Sequence, residues 1–319
     1  VAFLMLVRYV ALRIALGGAQ VLGVVVVVFL VAALLPGDAA VTIAADDADP
    51  ERIARLRRAL GLDRPLLDQL GGWLGGLARG DLGTSAISGR PVSELLSAAM
   101  VPTVTLTLLA LAVLIPIALL LGVTAAVRRG GRVDRAISWL TVALYAVPEF
   151  ALAIVVVAVF AVWLGWFAPT AVGASGPLLA QPELWLLPVA VLAVRPVCSL
   201  SRLVRSSMIT SLESEYTRHT LRLGVPMPRV VWRHALPGSI TPAVQQLARV
   251  SDWLLGGVVV VEAVFALGGL GQLLVGAVSS RDVPLLLGLV VLFSLITVSV
   301  NLLADIAAFA LNPVAREAR

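Results

Sequence analysis

Five ionisable residues, Glu149, Arg195, Arg249, Asp252 and Asp305, interrupt long apolar stretches of this sequence. A charge at bilayer depth costs about 2.5–3.5 kcal/mol on insertion scales, so such residues pair, line a polar path or meet a charged solute. Glu149 follows Pro148 and Arg195 precedes Pro196, on consecutive stretches that, as antiparallel spans, could bring the two together at similar depth. Arg249 and Asp252 stand three apart on one helix face and can satisfy each other. The chemistry this set offers is transport: a path whose charges meet those of a charged solute, or else buried ion pairs that touch no ligand.

Catalysis finds no support. No lysine occurs, so the chain's 24 basic side chains are all Arg and the phosphate-gripping GxxxxGK[ST] loop is excluded. His219 and His234 lie apart from acidic or Cys clusters, which argues against a metal, and the single Cys198 sits in an apolar run as a core residue. The expectation is a non-enzyme with no cofactor of its own. Any ATP that drives it is hydrolysed by another chain.

The elements that must position these residues are helices. The sequence is 60% hydrophobic and 13% charged, with mean hydropathy +1.00. Its apolar runs exceed the roughly 18 residues that already suggest a spanning helix, and no strand-like alternation appears. The reading is an all-α polytopic membrane protein with six spans, near 14–35, 101–127, 136–164, 184–200, 243–265 and 284–311. The first run is longer than the roughly 7–15 apolar residues of a signal core, so cleavage is not expected. Residues 36–100 turn mixed and polar and are expected to form an extracytoplasmic helical subdomain, with a first helix starting at Asp49 or Pro50 and capped by Gly61. Residues 101–319 make the permeation core.

Arg-rich and Arg-poor loops alternate. Arg128, Arg129, Arg132 and Arg135 crowd one short loop, whereas 165–183 has no Arg. The positive-inside rule places the Arg-rich loops and both termini in the cytoplasm, within a bacterial inner membrane. The same rule, and not nucleic-acid binding, accounts for a pI near 10.5. Lipid surrounds the spans.

One polar segment stands between the fourth and fifth spans: "EYTRHTLRLGVPMPRVVWRHALPG", Glu215 to Gly238, within a cytoplasmic stretch of 211–238. Glu215 to Leu223 reads as a short helix with its acid at the N-terminus and Arg222 near the C-terminus. Gly224 ends it at positive φ, Pro226 and Pro228 start a second stub over Arg229 to Ala235, and Pro237 stops that. Two stubs joined at a glycine make a lever.

This segment resembles the EAA loop of ATP-binding cassette (ABC) importer permeases. Gly224 stands where the consensus glycine does, and His234, Ala235, Leu236 and Pro237 occupy the I-x-L-P positions. Arg218, His219 and Thr220 replace the EAA triplet. E-Y-x-R before the glycine and R-H-A-L after it resemble the dipeptide/oligopeptide/nickel branch. "LLPGD" at Leu34, "LGLDRPLLDQ" at Leu60, "GDLGTS" at Gly80, "GRPVSELL" at Gly89, "VVVEAVFALGGLG" at Val259 and "RDVP" at Arg281 resemble that family in order. The chain looks like the B-type subunit.

The resemblance implies the type I ABC importer permease fold and an ATP-driven importer of dipeptides, oligopeptides or related small solutes, with nickel or metal chelates as the alternative cargo. The implied partners are a second homologous C-type permease, two ATPase subunits that hold ATP and Mg, and an extracytoplasmic solute-binding protein. Glu215, Tyr216, Arg218, Gly224, Arg233, Leu236 and Pro237 would couple to the ATPase. Glu262, Phe265, Gly269 and Gly271 lie at the external end of the fifth span, as an outer gate or a tight re-entrant turn. An ion-coupled secondary transporter, which also uses intramembrane charges, is the competing class, but it does not require the cytoplasmic lever.

Overall fold

The structure, a computed structural model, describes residues 2–34, 37–44, 49–173, 181–237, 239 and 256–311. In chain order the helices are α1 (Ala2–Leu34), α2 (Ala39–Ala44), α3 (Pro50–Ala59), α4 (Leu66–Leu77), α5 (Val92–Val127) and α6 (Arg132–Ala146). There follow α7 (Glu149–Val156), which continues as a π-helical segment over Val157–Trp163, then α8 (Glu183–Glu213), α9 (Glu215–Arg222) and α10 (Met227–Val230), which runs into a π turn at Val231–Ala235. The last three are α11 (Gly256–Phe265), α12 (Leu270–Ser279) and α13 (Val283–Leu311). Among the described residues, four helices are long and apolar enough to cross a membrane, and six spans result if each of two broken helix pairs counts as one.

The chain forms two compact units, Val1–Thr103 with Leu267–Ser299, and Val104–Ala266 with Val300–Arg319. In the first, Val21, Val25 and Phe29 of α1 pack on Leu287 and Val291 of α13, with Leu70 and Trp73 of α4 against them. A second cluster joins Val92, Leu96 and Ala99 of α5 to Leu270 and Ala277 of α12 and Leu285 and Leu289 of α13. Asp49 caps α3, accepting from the Glu51 amide at 3.3 Å, and Gly61 follows that helix at φ +68°.

The ordered sequence motifs find their physical reason in this unit. Asp282 of "RDVP" is buried and accepts hydrogen bonds from the Ser85 hydroxyl of "GDLGTS", from the Ala86 amide at 3.1 Å and from the Leu285 amide at 3.3 Å. One carboxylate thus caps α13 and fastens a loop 197 residues away in sequence. Asp38 of "LLPGD" caps α2 through the Val41 amide and pairs with Arg57 of α3 at 2.6 Å.

Two helix boundaries in the second unit differ from the sequence reading. The expected third span is bent by 102° between α6 and α7. Pro148 lacks an N–H and forces Val147 into an extended conformation (φ −77°, ψ 126°), which ends α6. The expected fourth span does not stop at Leu200; α8 carries on to Glu213, about 20 Å further at 1.5 Å per residue. Close approach of small residues packs this unit, as expected where lipid gives no hydrophobic drive between helices. A Cβ at Gly122 of α5 would lie 2.7 Å from the Ser201 carbonyl oxygen of α8.

Candidate coupling site

The extended end of α8 carries two short helices. Ser214 is extended (φ −63°, ψ 148°) and turns the chain from α8 into α9; its hydroxyl accepts from the Thr217 amide at 3.3 Å and donates to the Ser211 carbonyl at 2.7 Å. Ser211 in turn donates to the Ala235 carbonyl at 2.8 Å, tying the π turn after α10 to the end of α8. Gly224 leaves α9 at φ +80°, where a side chain would be strained, and Pro226 and Pro228 open α10. Thr217, Val230, Val231 and Ala235 are buried, so the two stubs pack as one body with α8.

The exposed residues of that body mix charged side chains with apolar and aromatic ones. Tyr216, Leu223, Met227 and Trp232 are exposed, at 62%, 70%, 39% and 58%. The Tyr216 hydroxyl hydrogen-bonds His234 Nδ1 at 2.8 Å, with the rings 5.7 Å apart, which fixes the tyrosine across the two stubs. Glu215, Arg218, Arg233 and Pro237 are exposed beside them, whereas Leu236 is buried. The sequence reading selected Tyr216 but not Leu223, Met227 or Trp232. The seven-residue spacing of Tyr216 and Leu223, two helical turns, was the available signal.

A charged clamp holds the α5–α6 turn to the lever. Arg205 of α8 grips Asp134 at the start of α6 with both ends of its fork, Nε to Oδ1 at 2.6 Å and a terminal nitrogen to Oδ2 at 2.8 Å. The Gly130 amide and the Ser138 hydroxyl also donate to Asp134, at 2.8 and 3.4 Å. The arginine hydrogen bond, which outweighs burial, lowers the Asp134 carboxyl from 3.8 to about 2. Arg129 pairs with Glu213, the last residue of α8 before the Ser214 cap. The two stubs are thus held at the end of α8 and carry exposed apolar side chains.

Comparison with known proteins is decisive. Residues 118–317 match the family described as the binding-protein-dependent transport system inner membrane component, and residues 5–95 match its N-terminal membrane component. The chain belongs to that family. A peptide transport system permease protein of Brucella abortus (strain 2308) is 39% identical over 287 residues, 89% of this chain and 90% of its own length. The glutathione transport system permease protein GsiC of Salmonella typhi is 38% identical over 293 residues, 92% of this chain and 94% of its own. The chain is therefore a multi-pass inner-membrane permease of an ABC importer, a transport subunit and not an enzyme, whose family works with an ATPase and a solute-binding protein.

Of the intramembrane charges of this permease, Glu149 opens α7 and Arg195 lies on α8 within electrostatic range of it. The carboxylate faces Gly257 of α11 so closely that a Cβ there would sit 2.8 Å from Oε1. Arg195 and Arg202, two helical turns apart, both approach the Tyr145 ring of α6, at 5.0 and 4.9 Å from its centroid. The sequence reading missed Tyr145, which precedes the Pro148 bend. Asp305 lies on α13, and Arg249 and Asp252 fall outside the described residues. Glu262 and Phe265 are buried on α11, where the Phe265 carbonyl accepts from the Ala171 amide at 2.8 Å. Gly269 and Gly271 belong to the other unit, at the start of α12, where the Leu270 amide donates to Thr103 at 2.8 Å.

Proposed function

We propose that this permease imports peptide-type solutes and that an ATPase drives it through the surface between Glu215 and Pro237. The observation that carries the reading is the exposure of Tyr216, Leu223, Met227 and Trp232 on a body locked to α8 by Ser211 and Ser214. Exposed aromatic residues on a rigid element are the composition of an interface hot spot. Glu215, Arg218 and Arg233 supply a polar rim, Gly224 sets the angle between the stubs, and Leu236 and Pro237 anchor the far end.

In this reading nucleotide closure on two ATPase subunits, which hold ATP and Mg, moves α9 and α10. Motion then passes along α8 and, through the Arg205–Asp134 clamp, into α6. A second, C-type permease completes the pathway, an extracytoplasmic binding protein delivers the solute, and both termini lie in the cytoplasm with residues 36–100 outside. Glu149, Arg195, Arg249, Asp252 and Asp305 would line or brace the path, with Glu262 and Phe265 of α11 toward its outer end. The relatives named for peptide and glutathione transport support a peptide-type cargo over a metal chelate.

Gly224→Asp tests the coupling surface. A Cβ at Gly224 meets nothing within 4 Å, so the variant makes no clash, while the strain of a side chain at φ +80° and the added carboxylate both act where the two stubs join. The expected result is normal membrane insertion with loss of ATPase copurification and of ATP-dependent uptake. Copurification and solute-stimulated ATP hydrolysis equal to wild type would refute the assignment.

A further inference from the structure

A cavity of about 660 Å³ lies within the first unit, in the ~300–1,000 Å³ range of small-ligand sites. Its walls are apolar, supplied by Val28, Phe29 and Val31 of α1, by Leu274 and Val278 of α12, and by Leu286 and Val290 of α13. Val31 and Val278 line it and are also exposed, at 52% and 47%, so part of its rim is apolar surface. In a membrane-embedded chain such a rim admits the hydrocarbon of the bilayer more readily than a water-borne solute.

The polar lining residues give the site a sign. Arg57, Asp38 and Arg281 line the same cavity. Arg57 is paired with Asp38 through Nε, whereas Arg281 enters no ion pair among the described residues. These three side chains sum to one positive charge. Arg281 also holds a left-handed backbone (φ +58°), a conformation glycine adopts without steric cost and an arginine does not. The site thus keeps a cationic side chain at a position whose backbone favours having none.

We propose that this cavity binds an anionic glycerophospholipid, its acyl chain along α1 and α13 and its phosphate at Arg281 and Arg57. Association of anionic lipid with basic pockets between spanning helices follows the same electrostatics at other membrane proteins. The bound lipid would brace α1 against α13 beside the helices of residues 39–77.

Arg281→Gly separates lipid recognition from folding, because glycine relieves the backbone strain and the variant is expected to fold at least as stably as wild type. The assembled transporter, purified in detergent and stripped of lipid, is titrated with phosphatidylglycerol, phosphatidylethanolamine or inorganic phosphate and read by native mass spectrometry. Wild type should bind phosphatidylglycerol in preference to phosphatidylethanolamine, inorganic phosphate should not displace it, and Arg281→Gly should weaken it by roughly fivefold. A second variant, Ala277→Phe, fills the cavity and should abolish retention. Equal binding of the two lipids, displacement by phosphate alone, undiminished retention by Arg281→Gly or Ala277→Phe, or no lipid retained by the wild-type complex would each overturn the proposal.

Discussion

Replacing Asp134 with Asn removes one charge at nearly constant volume and tests whether the α5–α6 turn moves with the lever. The Asp134 side chain is only 4% exposed and accepts both arms of the Arg205 fork, so the change leaves a guanidinium facing a neutral amide. Lowering the carboxyl from 3.8 to about 2 corresponds to about 2.5 kcal/mol of folded-state preference for the charged form. Breaking a fully buried pair costs about 3–5 kcal/mol, but Arg205 is 30% exposed and reaches water, so the lower figure governs. At ~2–4 °C per kcal/mol, the melting midpoint of the assembled transporter should fall by about 5–10 °C. The sign with pH follows: the contribution is complete above the ordinary carboxyl value near 3.8 and disappears as pH falls through about 2. Wild type should therefore lose this increment on acidification, and the Asn variant should have none to lose. With the clamp open, solute carried per ATP should drop while ATPase copurification persists. Arg129→Ala is the control, because its pair with Glu213 is more than half exposed on both sides and worth at most about 1 kcal/mol. An Asp134→Asn protein with unchanged melting and unchanged solute per ATP, or an Arg129→Ala protein equally destabilised, would refute the burial argument.

Trp232→Ala and Leu223→Ala should each weaken ATPase copurification, by about 30-fold if either is a hot spot worth 2 kcal/mol, with no loss of thermal stability because both side chains are exposed in the chain alone. Gly122→Ala should destabilise the second unit by about 1–3 kcal/mol, since its Cβ would meet the Ser201 carbonyl at 2.7 Å, whereas Gly276→Ala, whose Cβ meets nothing within 4 Å, should be neutral or stabilising in the same melting assay.

What was legible in the sequence is what local chemistry decides. The cap at Asp49, the left-handed glycines at Gly61 and Gly224 and the paired prolines before α10 act within a few residues, and their signals survive in any tertiary setting. Hydropathy located the apolar runs but misjudged where helices end. Ser201, Arg202, Arg205 and Ser206 end the apolar run yet favour no break, so α8 continues as a half-buried helix until Ser214 turns the chain. At Val147 the opposite holds: the apolar run continues and the backbone stops, because Pro148 acts on hydrogen bonding and sterics, to which hydropathy is blind.

The Asp134–Arg205 pair was missed because it is long-range. Asp134 and Arg205 are 71 residues apart, and in the sequence Asp134 reads only as one acid in an arginine cluster. Its partner is selected by the antiparallel packing of α6 and α8, which no local pattern encodes. The exposed apolar side chains of the proposed coupling surface were obscured for a different reason. Leu223, Met227 and Trp232 sit on separate pieces of a broken helix, so the helical periodicity that would group them is lost at Gly224. The feature that hides the surface from pattern analysis is also what gives it a fixed shape. A glycine at φ +80° followed by two prolines prevents a single flexible helix and holds the two stubs at one angle, as a surface that transmits force requires.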